Sequence, residues 1–412
     1  MAPSPLIATA VLAAGAIAAS RKHTSDNSRV QLCHAQQTAE VVGEKTLAEI
    51  IATECPSLAD PETGRFVPSM ALPTADLQTC YNAIRERFGK LRLVKYEREL
   101  ITTNDGGTIG LDWSPPFAQM PSDERPIVVL SHGLSGGSQE TYVQQTVKCL
   151  TAEPYRFRTV VVNYRGCAGV QLTTHVLYNG GFTSDYGFAI EHICRKLPNS
   201  KLIGVGYSLG ANLVTKYVGE QGDACPLVAG VSVCNPYDLA ASSDAIEQPT
   251  LRNKYLYSPA MLFGLMRLYR RHRHMIETGP VQFDAEAIEK IDQLRKFDDL
   301  ITSRAFGFKD SADYYKQSSC AQFMPRIRIP FLAISSLDDP VCPESVIPRE
   351  AFNSNPHLVL ALTRYGGHLG YHEDLSSSWI SRPISEFCAA IFRHTLATTA
   401  SQGSSEAEPP TS

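Results

Sequence analysis

The chain has 412 residues, of which 43% are hydrophobic and 19% are charged. Leucine, valine, isoleucine and phenylalanine are spread over most of its length, which excludes a chain that is disordered as a whole. Its 38 Lys and Arg residues against 42 Asp and Glu residues give a net charge of −4. Because this balance leaves no global basic surface, we expect no nucleic-acid partner.

Cysteine usage points to a reducing compartment. The 11 cysteines form an odd number, no CxxC pair occurs, and several lie within apolar runs such as LVAGVSVCNP and ISEFCAAIF. Cysteines in such runs usually act as small buried hydrophobic residues. The sequence also has no N-x-[ST] glycosylation site, so it favours an intracellular location over secretion.

An apolar segment occupies residues 5–19, PLIATAVLAAGAIAA, and is followed by Arg21 and Lys22. It is shorter than the roughly 20 apolar residues that span a bilayer. A signal peptide carries its basic residues before the apolar run, whereas here they follow it. We expect residues 5–19 to associate with a membrane, with a cleaved signal peptide as the less favoured alternative. Residues 1–44 are predicted to be this segment and a polar linker.

The central part of the chain alternates between strand and helix patterns. LRLVKYERELIT and TIGLDW, separated by NDGG, predict a β-hairpin. Helical spacing separates several of the continuous apolar runs that follow, and such runs are typical of strands buried on both faces. The fold class is therefore α/β, with a mostly parallel central sheet and helices on both faces. The six runs are IVVLSHG, RTVVVNYRG, LIGVGYS, LVAGVSVCNP, PFLAISS and HLVLALT.

The alternation stops between Pro236 and Pro330, where the sequence is helix-like and rich in Met and Arg. We interpret residues 240–325, approximately, as a helical cap inserted over the carboxyl edge of the sheet, where ligands bind in such folds. The cap belongs to one domain of residues 45–398. Residues 399–412 have low complexity and are expected to form a disordered tail.

The strongest signal for chemistry is Gly206-Tyr207-Ser208-Leu209-Gly210, which follows the apolar LIGV and precedes the helical ANLVTKYV. A serine on a sharp turn between a strand and a helix projects its Oγ from the sheet, and flanking glycines remove side chains that would collide there. The pattern predicts Ser208 as a nucleophile. An accidental glycine-rich turn is the alternative.

A serine nucleophile needs a base, and the base needs an orienting carboxylate. Asp338 and Asp339 follow the run PFLAISS, and His368 follows the next run in a Gly-Gly-His loop. We favour Asp339 over Asp338, which is expected to form the turn. We favour His368 over His372, because two glycines let the His368 loop curl back over the sheet edge.

Acyl transfer through serine also needs two N–H donors for the oxyanion. We expect these from Leu209, which follows the nucleophile, and from Leu134 in the loop SHGLSGGS. A plain strand-to-helix turn is the alternative for that loop, and His132 within it is expected to be structural. No His, Cys and Asp cluster has metal-ligand spacing, so we expect no metal and no bound cofactor, with acyl-CoA a candidate co-substrate only.

Over roughly residues 45–398 the chain resembles the AB hydrolase 4 family of the α/β-hydrolase superfamily. The resemblance implies an α/β-hydrolase fold and places the family triad on Ser208, Asp339 and His368. The family includes membrane-associated lipid esterases and phospholipases, and fungal medium-chain fatty acid ethyl ester synthase/esterases. The stretches that carry the resemblance are HGLSGGSQETYV, VVVNYRGCAG, GFTSDYGFAIEHI, GVGYSLGANLVTKYVGEQG, FDDLITSRAFGFKDSADYYKQSS, SSLDDPVCPESVIP and GGHLGY.

We therefore expect a serine-dependent hydrolase or acyltransferase that acts on hydrophobic esters or thioesters through an acyl-serine, with an alcohol as candidate acceptor and a membrane surface as candidate partner. A binding protein of this fold without catalysis is the alternative. The arginines at 267, 270, 271 and 273 either grip a phosphate or, as we favour, form a solvated helix face. Seven apolar or aromatic residues of the cap either line an acyl groove or only pack the cap against the sheet. They are Tyr255, Tyr257, Met261, Phe263, Leu265, Met266 and Tyr269.

Overall fold

A computed structural model describes residues 28–42, 45–88, 92–119 and 125–405. In this part of the chain, nine strands form one sheet in the order β1-β11-β10-β9-β8-β6-β7-β5-β4, while β2 and β3 pair separately. The strands are β1 Gln31–His34, β2 Glu40–Val42, β3 Lys45–Thr46, β4 Glu97–Thr102, β5 Thr108–Ser114, β6 Ile127–Ser131, β7 Arg158–Asn163, β8 Leu202–Tyr207, β9 Ala229–Val233, β10 Phe331–Ser336 and β11 Leu358–Thr363.

The six apolar runs of the sequence form the middle of the sheet. Strands β6 to β11 are parallel wherever they pair with one another. The predicted hairpin is the antiparallel pair β4–β5, and β5 runs antiparallel to β7 at that side of the sheet. The prediction of a mostly parallel central sheet is confirmed.

Fourteen α-helices surround the sheet in the described residues. They are α1 Leu47–Glu54, α2 Pro56–Ala59, α3 Ala75–Phe88, α4 Thr141–Thr151, α5 Thr183–Lys196, α6 Leu209–Gln221, α7 Leu239–Glu247, α8 Ser258–Ile276, α9 Ala285–Glu289, α10 Leu294–Phe297, α11 Ser303–Phe306, α12 Ser311–Ser318, α13 Arg349–Ser354 and α14 Ser381–Ser405.

Each central strand packs alternate side chains on opposite faces of the sheet, as the pleat requires. In β6, Ile127 and Val129 join the hydrophobic cluster that α5 and α6 cover. Val128 and Leu130 join the opposite cluster, which α1, α4 and α14 cover. Since both faces are covered, both sets of side chains are mostly apolar, and this explains the continuous apolar runs.

The chain leaves the sheet between β9 and β10 and forms α7 to α12, which occupy the stretch predicted as the cap. A π-helical turn at Asn253–Tyr257 leads directly into α8, which is the longest cap helix at 19 residues. A 3-10 segment at Cys320–Arg326 returns the chain to β10. The cap therefore follows directly on the carboxyl end of β9.

The structure differs from the sequence prediction at both ends of the domain. Residues 31–34 were expected to belong to a linker, yet they form β1, which pairs antiparallel with β11 and extends the sheet. Helix α14 continues to Ser405, beyond the predicted start of a disordered tail at residue 399. Residues 5–19 and 406–412 lie outside the described residues. No helix within the described ranges combines the length and the hydropathy needed to cross a bilayer.

All eleven cysteines lie in the described residues, and each is a free thiol. Burial raises the pKa of the Cys167 and Cys320 thiols to about 12. Cys388 packs in the core cluster that α14 covers, which is the hydrophobic role expected for cysteines in apolar runs.

Candidate active site

Ser208 lies at the sharp turn between β8 and α6. Its φ is +52°, in the left-handed region that a residue with a β-carbon occupies at a cost of about 1–3 kcal/mol. The Ser208 N–H donates a hydrogen bond of 2.9 Å to the carbonyl of Val233 at the end of β9. The turn is thus held against the neighbouring strand, and its side chain borders a cavity under the cap.

Two glycines allow this turn to form. A β-carbon on Gly206 would collide with the carbonyl of Gly210, and a β-carbon on Gly210 would collide with the carbonyl of Ser131. A side chain at either position would push α6 away from the ends of β6 and β8. The close approach of helix and strands is therefore the steric reason for the spacing of the GYSLG motif.

Ser208, His368 and Asp339 form a continuous chain of hydrogen bonds. The distance from His368 Nε2 to Ser208 Oγ is 2.8 Å, and His368 Nδ1 lies 2.9 Å from Asp339 Oδ2. The Asp339 side chain is 2% exposed and the His368 side chain is 12% exposed. The structure brings the three sequence-predicted residues together in the order that serine–histidine–carboxylate chemistry uses.

The two neighbouring aspartates have different partners. Asp339 Oδ1 accepts hydrogen bonds of 2.8 Å from the N–H groups of Val341 and Cys342, which fixes the carboxylate towards His368. Asp338 instead accepts from the N–H of Gly367 at 2.9 Å. Burial, with a smaller effect from the adjacent Asp339 charge, raises the pKa of Asp338 to about 6. Asp338 therefore supports the histidine loop rather than the histidine ring.

Helix α3 holds the loop that carries His368. The His368 N–H donates a 2.8 Å hydrogen bond to Thr79 Oγ1, and Asn82 Nδ2 donates to the carbonyl of Leu369. Gln78 bonds to both the N–H and the carbonyl of His372. No sequence pattern predicts these roles, because the two partners of each pair lie more than 280 residues apart.

His372, the rival base, does not face Ser208. Its ring is fully buried, and Nε2 lies 2.9 Å from Asn82 Oδ1. Burial lowers the pKa of His372 to about 4. It is therefore a neutral packing residue, whose ring lies nearly perpendicular to that of Tyr81 with 5.0 Å between the ring centroids.

Leu134 and Leu209, the predicted oxyanion donors, both border the cavity beside Ser208. The N–H groups on either side of Leu134 are already used: Gly133 donates to Tyr142 Oη and Ser135 donates to Tyr178 Oη. Neither the Leu134 N–H nor the Leu209 N–H has a protein acceptor among the described residues. The arrangement leaves these two donors free for a substrate oxygen.

His132 is buried at the end of β6 and does not reach the serine. Its Nδ1 lies 2.8 Å from the carbonyl of Gly133, and its own carbonyl accepts from the Tyr164 hydroxyl. Burial lowers the pKa of His132 to about 4. A neutral, packed histidine agrees with the structural role expected from the sequence.

A cavity of about 110 Å³ lies between the sheet edge and the cap, with Ser208 in its wall. Of the seven cap residues considered for this role, Met261 and Leu265 line it, whereas Phe263 is 65% exposed to solvent. The apolar lining is Leu134, Leu177, Leu209, Pro236, Leu239, Ile246, Met261, Leu265, Leu268, Leu294, Phe297, Ile301, Ala305, Phe306 and Val341. The cavity therefore suits a hydrophobic group next to the serine.

One carboxyl group, that of Asp298, borders this apolar cavity. It accepts hydrogen bonds of 2.7 Å from the hydroxyls of Tyr315 and Thr302. Burial raises the pKa of Asp298 to about 6. The FDDL block that contains Asp298 contributes to the family resemblance, but no pattern in it predicts that this carboxyl group borders the cavity.

One group of side chains that could act as metal ligands includes two residues of the candidate active site, Asp339 and His368. Cys234 Sγ, the Asp339 carboxylate and the His368 ring lie within 4.8 Å of one another. A metal needs a thiolate at such a site, but burial raises the pKa of Cys234 well above its usual range. His368 and Asp339 already bind each other, so this set of side chains does not fit a metal ion.

The family described as the alpha/beta hydrolase fold matches residues 126–375, which is more than half of the chain. The chain belongs to the α/β-hydrolase fold family. The predicted fold is thereby confirmed, and the match runs from just before β6 to beyond the His368 loop.

Curated relatives of this α/β hydrolase cover most of its length. A monoacylglycerol lipase from Saccharomyces cerevisiae is 33% identical over 84% of each chain. Phospholipase ABHD3 from Bos taurus is 31% identical over 86% of this chain and 84% of the relative. The medium-chain fatty acid ethyl ester synthase/esterase 2 of Saccharomyces cerevisiae is 30% identical over 78% of this chain and 85% of the relative. These relatives are lipases and esterases, in agreement with the expected class of enzyme.

Proposed function

We propose that the protein is a serine hydrolase of lipid esters in which Ser208, His368 and Asp339 are the catalytic residues. The observation that carries this proposal is the hydrogen-bonded chain from Asp339 through His368 to Ser208, which ends in an apolar cavity. The relatives named as a lipase, a phospholipase and an esterase support the substrate class.

The first half-reaction transfers the acyl group to the enzyme. Ser208 Oγ attacks the ester carbonyl while His368 Nε2 takes the hydroxyl proton, and Asp339 stabilises the imidazolium that forms. The N–H groups of Leu134 and Leu209 donate to the oxyanion of the tetrahedral intermediate. His368 then gives its proton to the leaving alcohol, and the acyl-serine remains.

The second half-reaction releases the acyl group. His368 takes a proton from water, the resulting hydroxide attacks the acyl carbonyl, and Ser208 leaves with the proton. An alcohol in place of water gives a new ester through the same steps. This route needs the alcohol held in attack geometry and water kept out, because effective molarities of about 10⁵ M or more then favour transfer. The relative named as a synthase/esterase supports acyl transfer to an alcohol as part of the proposed function.

The proposed chemistry needs no metal or bound cofactor, since His368 supplies the base and two N–H groups stabilise the oxyanion. An acyl-CoA enters this scheme only as a thioester substrate. Membrane association through residues 5–19 also belongs to the proposal, and these residues lie outside those that the structure describes.

The test of the nucleophile is labelling with a fluorophosphonate probe, which modifies activated serines. The wild-type protein should be labelled at Ser208, and the Ser208→Ala variant should not be labelled. A wild-type protein that resists the probe would favour the alternative of a binding protein of this fold without catalysis.

The test of the reaction uses pure protein with a monoacylglycerol, a phosphatidylcholine and a medium-chain acyl-CoA, each with and without ethanol. Free fatty acid and ethyl ester are separated and quantified. Hydrolysis alone should give free acid under both conditions, whereas acyl transfer should give ethyl ester that rises with ethanol. Ser208→Ala serves as the control in every assay.

A further inference from the structure

Helix α8 and the helical residues that lead into it expose large apolar side chains on their solvent side. Residues 251–276 are helical throughout, because the π-helical turn leads into α8 without a break. Leu251 is 78% exposed, Tyr255 is 50% exposed and Phe263 is 65% exposed. Single exposed apolar residues are ordinary, but three of them on the solvent side of one helix indicate an interaction surface.

The same stretch is strongly basic. Residues 251–276 contain six Lys and Arg residues and no Asp or Glu, in a chain whose net charge is −4. Arg270 and Arg273 form ion pairs with glutamates. Arg267 and Arg271 are exposed and have no ion pair within the described part of the chain. The helix thus presents apolar side chains at its beginning and unneutralised positive charge towards its end.

The opposite side of the helix reaches the candidate active site. Met261, Leu265 and Leu268 line the cavity that Ser208 borders, while Phe263 and Arg267 point to solvent. One helix therefore separates the acyl cavity from the solvent. Whatever binds its outer side lies one helix diameter, roughly 10 Å, from that cavity.

We propose that the outer side of this helix, from Leu251 to Arg271, docks on an anionic phospholipid membrane. Interfacial helices insert Leu, Phe and aromatic side chains among the acyl chains and place Lys and Arg at lipid phosphates. A second copy of the chain is disfavoured as the occupant, because pairing this side with itself would bring like charges together. Docking in this orientation places the acyl cavity next to the membrane that supplies its substrate.

The test uses the full-length chain with Phe263→Trp as a local probe. The two native tryptophans, Trp113 and Trp379, are fully buried, so the new side chain is the exposed one. Its fluorescence is measured with vesicles of brominated phosphatidylcholine, with or without phosphatidylserine. We expect quenching with the anionic vesicles and little with the neutral ones. Leu100→Trp, on the edge strand β4, is the matched control and should not be quenched.

The charge contribution is tested by Arg267→Glu with Arg271→Glu in the Phe263→Trp background. Since each basic residue near an anionic surface strengthens binding several-fold, vesicle affinity should fall about tenfold or more. The control is Lys148→Glu with Arg195→Glu, which changes the net charge equally but outside the cap. This double variant should leave the vesicle affinity nearly unchanged. Equal losses in both double variants, or no quenching at position 263 at all, would overturn the proposal.

The docking proposal does not depend on the proposed catalysis. The same quenching experiment is repeated with Ser208→Ala in the background, and the quenching should persist. Loss of ester hydrolysis with intact quenching would contradict nothing in the docking proposal. In the Phe263→Trp protein with Ser208 intact, absence of quenching while hydrolysis of soluble esters continues would refute docking and leave the proposed function standing.

Discussion

At the scale of single residues, substitutions of Ser208 should affect activity and stability differently, because the backbone of this residue is strained. Ser208→Ala should lower kcat by about 10³-fold or more and leave the melting temperature nearly unchanged, because alanine keeps a β-carbon at φ +52°. Ser208→Gly should lose activity equally but melt at a higher temperature, because glycine adopts positive φ without the steric cost. Thermal denaturation and ester turnover measure the two effects. Activity of Ser208→Ala within tenfold of wild type would make the nucleophile assignment wrong.

The neighbouring carboxyl groups should differ in their effect on rate. Asp339→Asn should reduce kcat by about 10³- to 10⁴-fold, because an amide neither fixes the His368 tautomer nor stabilises the imidazolium. Asp338→Asn should cost much less, since an amide oxygen can still accept the Gly367 N–H. Steady-state kinetics on a soluble ester compare the two variants. Equal losses, or a larger loss for Asp338→Asn, would reverse the assignment.

The buried carboxyl of Asp298 should make stability depend on pH. Its pKa of about 6 in the folded protein lies above the ordinary value of roughly 3.9 for an unfolded chain. The folded state binds more protons between these values, so the contribution of Asp298 to the free energy of unfolding falls as pH rises from about 4 to about 6. The melting temperature of Asp298→Asn minus that of wild type should therefore increase from about pH 4 to about pH 7.5.

Glu286→Gln, an exposed substitution in the same cap, is the control for this measurement. The melting temperature of Glu286→Gln minus that of wild type should show no comparable rise with pH. If the melting temperature of Asp298→Asn minus that of wild type stays constant or falls over the same pH range, the raised pKa of Asp298 would be contradicted.

At the scale of secondary-structure elements, helix α3 is expected to position the base. Thr79→Val keeps the shape of the side chain but removes the acceptor for the His368 N–H. We expect kcat to fall about 5- to 100-fold with a small change in KM, because the ring is misplaced rather than the substrate. The rate of fluorophosphonate labelling should fall in parallel.

Thr151→Val is the matched control for Thr79→Val. Both hydroxyls also donate to the carbonyl four residues earlier in their helices, but Thr151 has no contact with the His368 loop. Equal effects of the two substitutions would mean that α3 has only a structural role.

The elements that were predicted correctly are those whose signal is local. The runs that became β6 to β11 are continuous and apolar because two helical layers cover them, and the nucleophile turn is encoded by two glycines and one serine. Strand β1, QLCH, is too short and too polar to give such a signal. It is a strand because β11 offers a free edge, and that edge exists only after the sheet has formed.

The lining of the cavity shows a second limit of sequence patterns. Met261 and Phe263 are both large and apolar, yet Met261 borders the cavity and Phe263 is exposed to solvent. A helix with apolar residues on both sides has no unique inward face in its sequence. Only the packing of α8 against the sheet edge decides which side chains meet the substrate.

At the scale of the whole molecule, the candidate catalytic residues come from loops after β8, β10 and β11, and the cap insertion begins after β9. In a parallel sheet these carboxyl ends lie along one edge. Residues far apart in sequence therefore meet without any motion of the core, and the fold alone brings Ser208, Asp339 and His368 together.

The pairing of β1 sets how much of the N-terminus can be removed. Deletion of residues 1–22 should preserve the turnover of a soluble ester such as p-nitrophenyl butyrate and the melting temperature. Deletion of residues 1–34 removes β1 and exposes the edge of β11, so it should lower the melting temperature by several degrees and promote aggregation. Equal stability of the two truncated proteins would mean that β1 contributes nothing to the sheet.

The free thiols described above determine how the molecule responds to redox conditions. No covalent cross-link holds the chain, so dithiothreitol should neither lower its melting temperature nor change its activity. Thiolates are the reactive form of cysteine, and the raised pKa of buried thiols such as Cys234 and Cys342 keeps that form scarce. Alkylating reagents should therefore modify these two cysteines slowly while the protein is folded, although both lie beside Asp339. Inactivation by such a reagent would then report unfolding rather than attack on the catalytic centre.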